Sequence, residues 1–285
     1  MKKINSGKVR DIYEINEREL VIVTTDRISA FDVVLKSTIK DKGVALNLIS
    51  EYWFDHTSKI VPNHIISTNL SDMPAYFSED PAQYKNRTVL VKKLKMLPYE
   101  FIVRGYMFGS MWEEYKAYKT FCGQKQEDEY KLAQKLTEPI VTPSIKNNMG
   151  HDEYISLERL RKELGSEADK ICDICLKLYT TCCDQALQKS IIIADTKFEF
   201  GYDENGTLIL GDEIFTPDSS RFWSLADYRV GTSPKSYDKQ FVRDWLMEHN
   251  LNGVTPAPEL PEKIINITAH IYKECYRKIT GKEEY

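Results

Sequence analysis

The sequence predicts a mixed fold of strands and helices, sized for two lobes or one large α/β unit, on three observations. Residues 1–90 read as strand-rich, an Asn205-Gly206 turn joins two β-favouring runs, and helical spacing occupies 237–249 and 262–280. At 285 residues the chain exceeds the usual single-domain size. With 42% hydrophobic and 29% charged residues it can bury a full core.

Charge narrows the function. A net charge of -4 argues against a general binder of nucleic acid or anionic membrane, so any phosphate-handling cations must be local and concentrated. No run approaches the 18 apolar residues a membrane span needs, and MKKINSGKVRD has two lysines but no apolar core of a secretory signal. Cys172-x-x-Cys175 and Cys182-Cys183 fall in Ala168 to Leu187, where Ile171, Ile174/Cys175, Leu178 and Cys182 recur at helical spacing. A buried helix face explains them better than zinc, and a reducing cytoplasm fits.

In chain order, Gly7-Lys8-Val9-Arg10 leads a two-strand unit that runs to Thr25. A glycine lets backbone approach a phosphate, and Lys8 and Arg10 would share one strand face; an ordinary surface strand reads the same way. Asp26 to Asp32 packs two acids, Ser29 and an arginine after a strand, as a binding loop or a helix cap. Val44 to Ser58 has the spacing of an amphipathic helix. Arg87 to Leu97 is a strand running into a connector, where Lys92, Leu94 and Met96 precede Pro98. Arg104 leaves the next strand, and Gly109-Ser110 opens a helix. That makes an anion site completed by an arginine six residues earlier, or a simple Ser110 cap.

Residues 116–136 are polar without a clear period and read as a surface excursion. Thr137 to Lys146 is held extended by its prolines. His151-Asp152-Glu153 are metal-ligand types, but consecutive residues converge poorly on one ion. Ser156 caps a helix that Gly165 ends. In Ile191 to Phe200, Asp195, Lys197 and Glu199 share one strand face. A two-residue turn at Asn205-Gly206 would set Glu199 across from Asp212. Like charges so placed repel unless a cation lies between them; the other reading is an edge hairpin with solvated charges. Thr216 to Arg221 is a turn presenting hydroxyls and an arginine.

Together the glycine-led cations, a purine-sized connector and a carboxylate pair suited to Mg²⁺ make up a nucleotide triphosphate site. Arg104, Ser110 and Arg221 supply a second anion site that the nucleotide would not need. GKVRDIYE, DRISAFD, VRGYMFGS, TPSIK, ADTKFEFG, LGDEIFTPDSSRFW and SYDKQFVRDWL, in this order, resemble the phosphoribosylaminoimidazole-succinocarboxamide synthase (SAICAR synthetase) family over about Gly7 to Leu246. The resemblance implies an α+β fold. A β-rich nucleotide-binding lobe would span 1–95, and a larger ATP-grasp-like lobe with C-terminal helices 96–285.

It also implies a purine-pathway ligase that joins carboxyaminoimidazole ribotide to L-aspartate with ATP and Mg²⁺. Lys8 and Arg10 would hold the ATP phosphates, Lys92, Leu94 and Met96 the adenine, and Glu199 and Asp212 the metal. Arg104, Ser110 and Arg221 would take the ribotide phosphate. Ser29, Asp32, Asp195, Lys197 and Lys239 would surround the imidazole and reacting carboxylate, with Lys197 bridging the substrates and Asp195 taking the amine proton. The family's Ser-Thr-Lys-x-Glu run here reads Ser144-Ile145-Lys146-Asn147-Asn148, which carries over only Lys146 as substrate-binding. Residues 116–136 lack the family's Leu-Pro-x-Gly-Leu run.

Overall fold

The computed structural model describes residues 1–121, 123–126, 129–146 and 153–285. The Asn147-Asn148 and His151-Asp152 positions singled out above lie outside them. Two compact units divide the chain. One takes Met1–Leu97, Phe200–Asp218 and Tyr237–Tyr285, the other Pro98–Glu199 and Ser219–Ser236. The elements are strands and helices with antiparallel strand pairing throughout both main sheets, an α+β arrangement. No helix among the described residues is long and apolar enough to cross a membrane.

In the first unit, strands Lys2–Ser6, Arg10–Glu14, Glu19–Thr24, Thr88–Lys92 and Ile65–Ser67 form one sheet in that spatial order. Alternation along the third strand turns Val21 and Val23 to a core with Met73, Phe77, Tyr84 and Leu90. Asp26 to Asp32 is not a loop, and Asp26, just before the strand, does cap the following helix, its Oδ1 accepting the Gly43 N–H at 2.9 Å in the first turn of Lys42–Thr57. Strand Arg27–Ala30 turns at Phe31 and Asp32, both at positive φ (51° and 63°), and pairs back with Val33–Thr38. Two central residues at positive φ suit a tight hairpin, whose twist matches that of the strands.

That small ribbon explains a correction to the expected lobes. Residues 237–285 do not complete the second unit. Helices Gln240–Glu248 and Glu262–Thr280 and the connector before the latter bury Val242, Leu246, Leu260 and Ile264 against Ile28, Ala30 and Leu35 of the ribbon and Ile39 just after it. The helix expected at 44–58 runs Lys42–Thr57 and is buried on more than one face. Val44, Leu46, Ile49 and Trp53 are enclosed, and so are Lys42, Asn47 and Ser50. An amphipathic reading sees only the apolar stripe and misses buried polar residues that find partners.

In the second unit the order is Glu153–Tyr154, Lys135–Ile145, Tyr99–Tyr106, Ile191–Tyr202 and Ser220–Ser224, the fourth strand entering the first unit at Phe200. Pro139, which has no N–H to donate, falls in the register irregularity between Lys135 and Ile140. Helix Glu167–Gln188 buries Ile171, Cys175, Leu178 and Cys182, as the spacing predicted, and the four cysteines of this helix are free thiols. Ser156 caps helix Leu157–Leu164 by accepting the Arg159 N–H at 3.1 Å.

Most described residues of the segment 116–136 are exposed, as expected of a polar surface excursion, but part of it is anchored. After helix Gly109–Tyr118 it folds back, burying Ala133 and Leu136 and setting the Tyr130 ring 5.6 Å from that of Tyr115. Tyrosines and short apolar residues supply that packing without a helical or strand period.

Two titratable groups of the first unit are shifted in opposite senses. Burial pushes Glu51 up to about 7, against a 2.6 Å hydrogen bond from Asn47 Nδ2. Burial also pushes His64 down to about 4, outweighing the pull of Asp212. The Glu51 contribution to stability is present below its ordinary 4.5 and lost as pH rises through about 7. That of His64 is present above its ordinary 6.5 and lost as pH falls through about 4. Each spans about 3 kcal/mol, so they offset one another in between. Urea titrations from pH 4 to 8 should show stability rising with pH in Glu51→Gln, where His64 acts alone. They should show it falling with pH in His64→Gln.

Candidate functional site

In the first unit the candidate phosphate residues differ. The strand begins at Arg10, so Lys8 lies in the preceding turn and does not share its face. Gly7 N–H bonds to Arg10 C=O at 2.8 Å. Lys8 is exposed and meets Asp32 Oδ1 at 2.5 Å. Arg10 is mostly enclosed and grips Glu213 with two bonds, Nη2 to Oε2 at 2.5 Å and Nη1 to Oε1 at 3.1 Å. Asp212 Oδ1 stands 3.5 Å away. Burial works against the Arg10 charge, but Glu213 and Asp212 overcome it and raise its pKa. A bidentate carboxylate fixes the plane of the guanidinium as well as its charge.

Lys92 ends its strand, and Leu94 follows in a hollow of about 770 Å³ that also has Lys93, Lys95 and Tyr202 on its walls. Met96, 41% exposed, pairs with Gly201. An apolar thioether and leucine beside backbone groups suit a flat aromatic ring. Ser29 is buried in the ribbon and Asp32 is in its turn. Lys239 precedes helix Gln240–Glu248; burial lowers its pKa while Asp218 opposes the shift.

The hairpin after Phe200 departs from expectation. Asp203 N–H bonds to Thr207 C=O at 3.1 Å, enclosing three residues, with Gly206 at φ 75° and its N–H on Asp203 C=O. This is a type I turn closed by a left-handed glycine. The Asp203 side chain selects it by accepting the N–H groups of Asn205 and Thr207, each at 2.9 Å. The count that set Glu199 across from Asp212 is therefore off by one residue. Asp212 lies beyond strand Leu208–Gly211 at φ 55°, its side chain 24% exposed.

In the second unit Asp195, Lys197 and Glu199 do share a strand, but each carboxylate is occupied by cations. Glu199 is buried and paired with Lys146 and Lys197; Lys197 also reaches Glu100 at 3.2 Å. Asp195 is buried opposite Arg104 on one neighbouring strand and Arg221 on the other, and its carboxylate meets both guanidinium groups. The register alone brings these three together.

Arg104, 4% exposed, donates from Nε to Thr142 Oγ1 at 2.9 Å and from Nη2 to Ser110 Oγ and Tyr154 OH, both at 3.3 Å. Ser110 is the second residue of helix Gly109–Tyr118, so it is not the cap; that place belongs to Phe108, which makes no side-chain capping bond. The start of this helix borders an opening of about 460 Å³ walled by Arg104, Ser110, Thr142 and Tyr154. Cation, hydroxyls and helix N-terminus converge as an oxyanion requires.

Sequence reasoning missed Glu213, Thr142, Tyr154, Glu100, Lys42 and Asp218. The acidic Asp212-Glu213 pair was a readable signal, with two carboxylates where one was assigned. Thr142 and Tyr154 join Arg104 only through strand pairing.

A family model described as SAICAR synthetase matches residues 3–259. The chain is 49% identical over 286 residues to the phosphoribosylaminoimidazole-succinocarboxamide synthase of Lachnospira eligens, covering 97% of this chain and 94% of that protein. The enzyme of the same name from Thermodesulfovibrio yellowstonii is 49% identical over 282 residues, with 99% and 96% covered. Among solved structures, the SAICAR synthase of Saccharomyces cerevisiae complexed with SAICAR superposes with a TM-score of 0.91 at 44% identity, covering 100% of this chain and 96% of that one. A SAICAR synthetase in complex with ADP gives 0.72 at 27% identity, with 99% of each chain covered.

Gly109 provides a direct test of the second-unit site. At φ 60°, a Cβ there would lie 2.6 Å from Arg221 Nη2. Gly109→Ala should displace that guanidinium and weaken inorganic phosphate binding about tenfold or more by calorimetric titration. Unchanged binding would remove Arg221 from the site.

Proposed function

The chain belongs to the SAICAR synthetase family, and on that footing we propose that it joins the carboxylate of carboxyaminoimidazole ribotide to the amine of L-aspartate, with ATP going to ADP and phosphate. The observation that carries this reading is the buried Arg104 beside Ser110, Tyr154 and a helix N-terminus. It is an anion site additional to Arg10, and a ligase with a phosphorylated cosubstrate needs both.

The chemistry sets the roles. A carboxylate does not react with an amine, so one of its oxygens first takes the γ-phosphoryl group and ADP leaves. The amine then forms the C–N bond and phosphate departs from the acyl carbon. Two anions must approach in the first step, and fixed cations offset that repulsion. We assign Arg10 and Lys8 to the triphosphate, Lys92, Leu94 and Met96 to the adenine, and Arg104, Ser110 and Arg221 to the ribotide phosphate. Ser29, Asp32, Lys146 and Lys239 go to the remainder of the substrates. Lys197 is aimed by Glu100 and Glu199 and would neutralise the reacting groups.

Mg²⁺ is held by one or two carboxylates in company with phosphate oxygens. Asp212 suits it: the side chain is partly exposed, and the short bonds to Arg10 come from its neighbour Glu213. Glu199 offers the same donor type, balanced by Lys146 and Lys197. The ion supplies charge neutralisation at the phosphates when bound. Free thiols throughout helix Glu167–Gln188 suit a reducing cytoplasm, where we locate the enzyme.

Asp195 has a different task from the proton acceptor expected of it. Held between two guanidinium groups, its carboxylate is a counter-ion that orients the phosphate-binding arginines. Asp195→Asn should therefore raise KM for the ribotide by about tenfold or more while kcat falls less, as measured by initial rates. A collapse of kcat at unchanged KM would return it to proton transfer.

The overall reaction is tested by ADP release with carboxyaminoimidazole ribotide, with and without L-aspartate. Release should depend on aspartate and stop when EDTA removes Mg²⁺. Aspartate-independent turnover would make the protein a small-molecule kinase.

A further inference from the structure

One chain of buried polar contacts in the first unit leads to Arg10 through residues that were given no role above. It starts at Asp218, which is 4% exposed at the side chain. Its Oδ2 meets Lys42 Nζ at 2.7 Å, and its Oδ1 accepts the Tyr272 hydroxyl at 2.6 Å. These partners come from different helices, Lys42 opening Lys42–Thr57 and Tyr272 lying within Glu262–Thr280. Lys42 is fully enclosed, with its ammonium 5.4 Å over the Tyr272 ring. Burial opposes the charge on Asp218, but Lys42 and Lys239 outweigh it and hold the carboxyl well below the usual range.

From Asp218 the contacts run to Arg10. The Asp218 N–H bonds to Thr216 Oγ1 at 3.2 Å, and that hydroxyl donates to Glu213 Oε2 at 2.5 Å. Glu213 is the carboxylate that grips Arg10 in two places. A threonine hydroxyl can accept one bond and donate another, so Thr216 is the joint between the clamped aspartate and the guanidinium. Thr216 is fully buried, so its bonds are costly to leave unmade.

We propose that Thr216, Asp218 and Tyr272 are positioning residues for the triphosphate: they lock Glu213, and through it the plane of Arg10, before the nucleotide arrives. This rests on assigning Arg10 to ATP. A pre-aimed guanidinium loses less freedom on binding, so the effect belongs in nucleotide affinity rather than in chemistry. A residue that merely supports the fold would weaken every substrate alike.

Initial-rate kinetics on four variants test it, with circular dichroism to verify folding. Thr216→Val deletes the joint and should raise KM for ATP about tenfold, the loss of one charged hydrogen bond. Thr216→Ser keeps the hydroxyl and should restore KM to within about twofold. Tyr272→Phe removes one bond to Asp218 without altering charge and should raise KM for ATP about threefold to fivefold. In each, KM for the ribotide and for L-aspartate should stay within about twofold. Arg10→Ala is the reference. If it raises KM for ATP while Thr216→Val and Tyr272→Phe do not, the positioning role is overturned and the Arg10 assignment stands. If it leaves KM for ATP unchanged, the assignment fails and takes this inference with it. An equal rise in all three KM values in the Thr216 and Tyr272 variants would show general support of the fold and overturn the role.

Discussion

A charge can be buried only if an opposite charge is held against it, and this constraint organises both units. In the first, Lys42 and Asp218 are enclosed together, and Arg10 is tied to Glu213. In the second, Asp195 lies between two arginines, and Glu199 between two lysines. Each cation that would meet a substrate anion is thus already aimed by a protein carboxylate. Such a site needs little rearrangement when a phosphate arrives, because its dipoles and charges are in place beforehand. The same arrangement sets a threshold: an incoming anion must compete with the resident carboxylate, which favours multiply charged ligands over chloride or a lone carboxylate.

Local signals were legible, and they gave most of the elements. Ser156 and Gly165 bound a helix in the expected way, helix Glu262–Thr280 has the expected span, and the cysteine-bearing helix buries the face its spacing implied. All of these depend on neighbours within a turn or two. The misses are non-local. Nothing near Lys42 announces that its ammonium is enclosed, because Asp218 lies 176 residues away. Within the mostly exposed residues 116–136, the packing of Tyr130 and Leu136 carries no local signal, because they meet Tyr115 only after the chain folds back.

The site divides the same way. The meeting of Arg104 with Ser110, six residues apart, was readable from strand-then-helix order, and the structure adds Thr142 and Tyr154 to the pair through strand pairing. The hairpin failed for a subtler reason. Asn-Gly is a strong two-residue turn signal, yet Asp203 just before it captured two backbone N–H groups and lengthened the loop by one. The side chain that opens the turn thus shifted the register that was to pair Glu199 with Asp212. Asp195, too, was read from its own strand alone, whereas the arginines that define it sit on the strands to either side.

The small ribbon at residues 27–38 has a consequence for how the chain is made. Its apolar side is covered by residues 242–264, and Ser37 Oγ accepts a bond from the Leu260 N–H, 223 positions later. At ribosomal rates of about 5–20 residues per second, that cover is synthesised roughly 10–45 s after the ribbon. Meanwhile Ile28, Leu35 and Ile39 are exposed on a nascent chain, a natural surface for a holding chaperone. The second unit draws on residues 98–236 alone and can close its core first. The order of completion therefore runs opposite to chain order: the unit begun first is finished last.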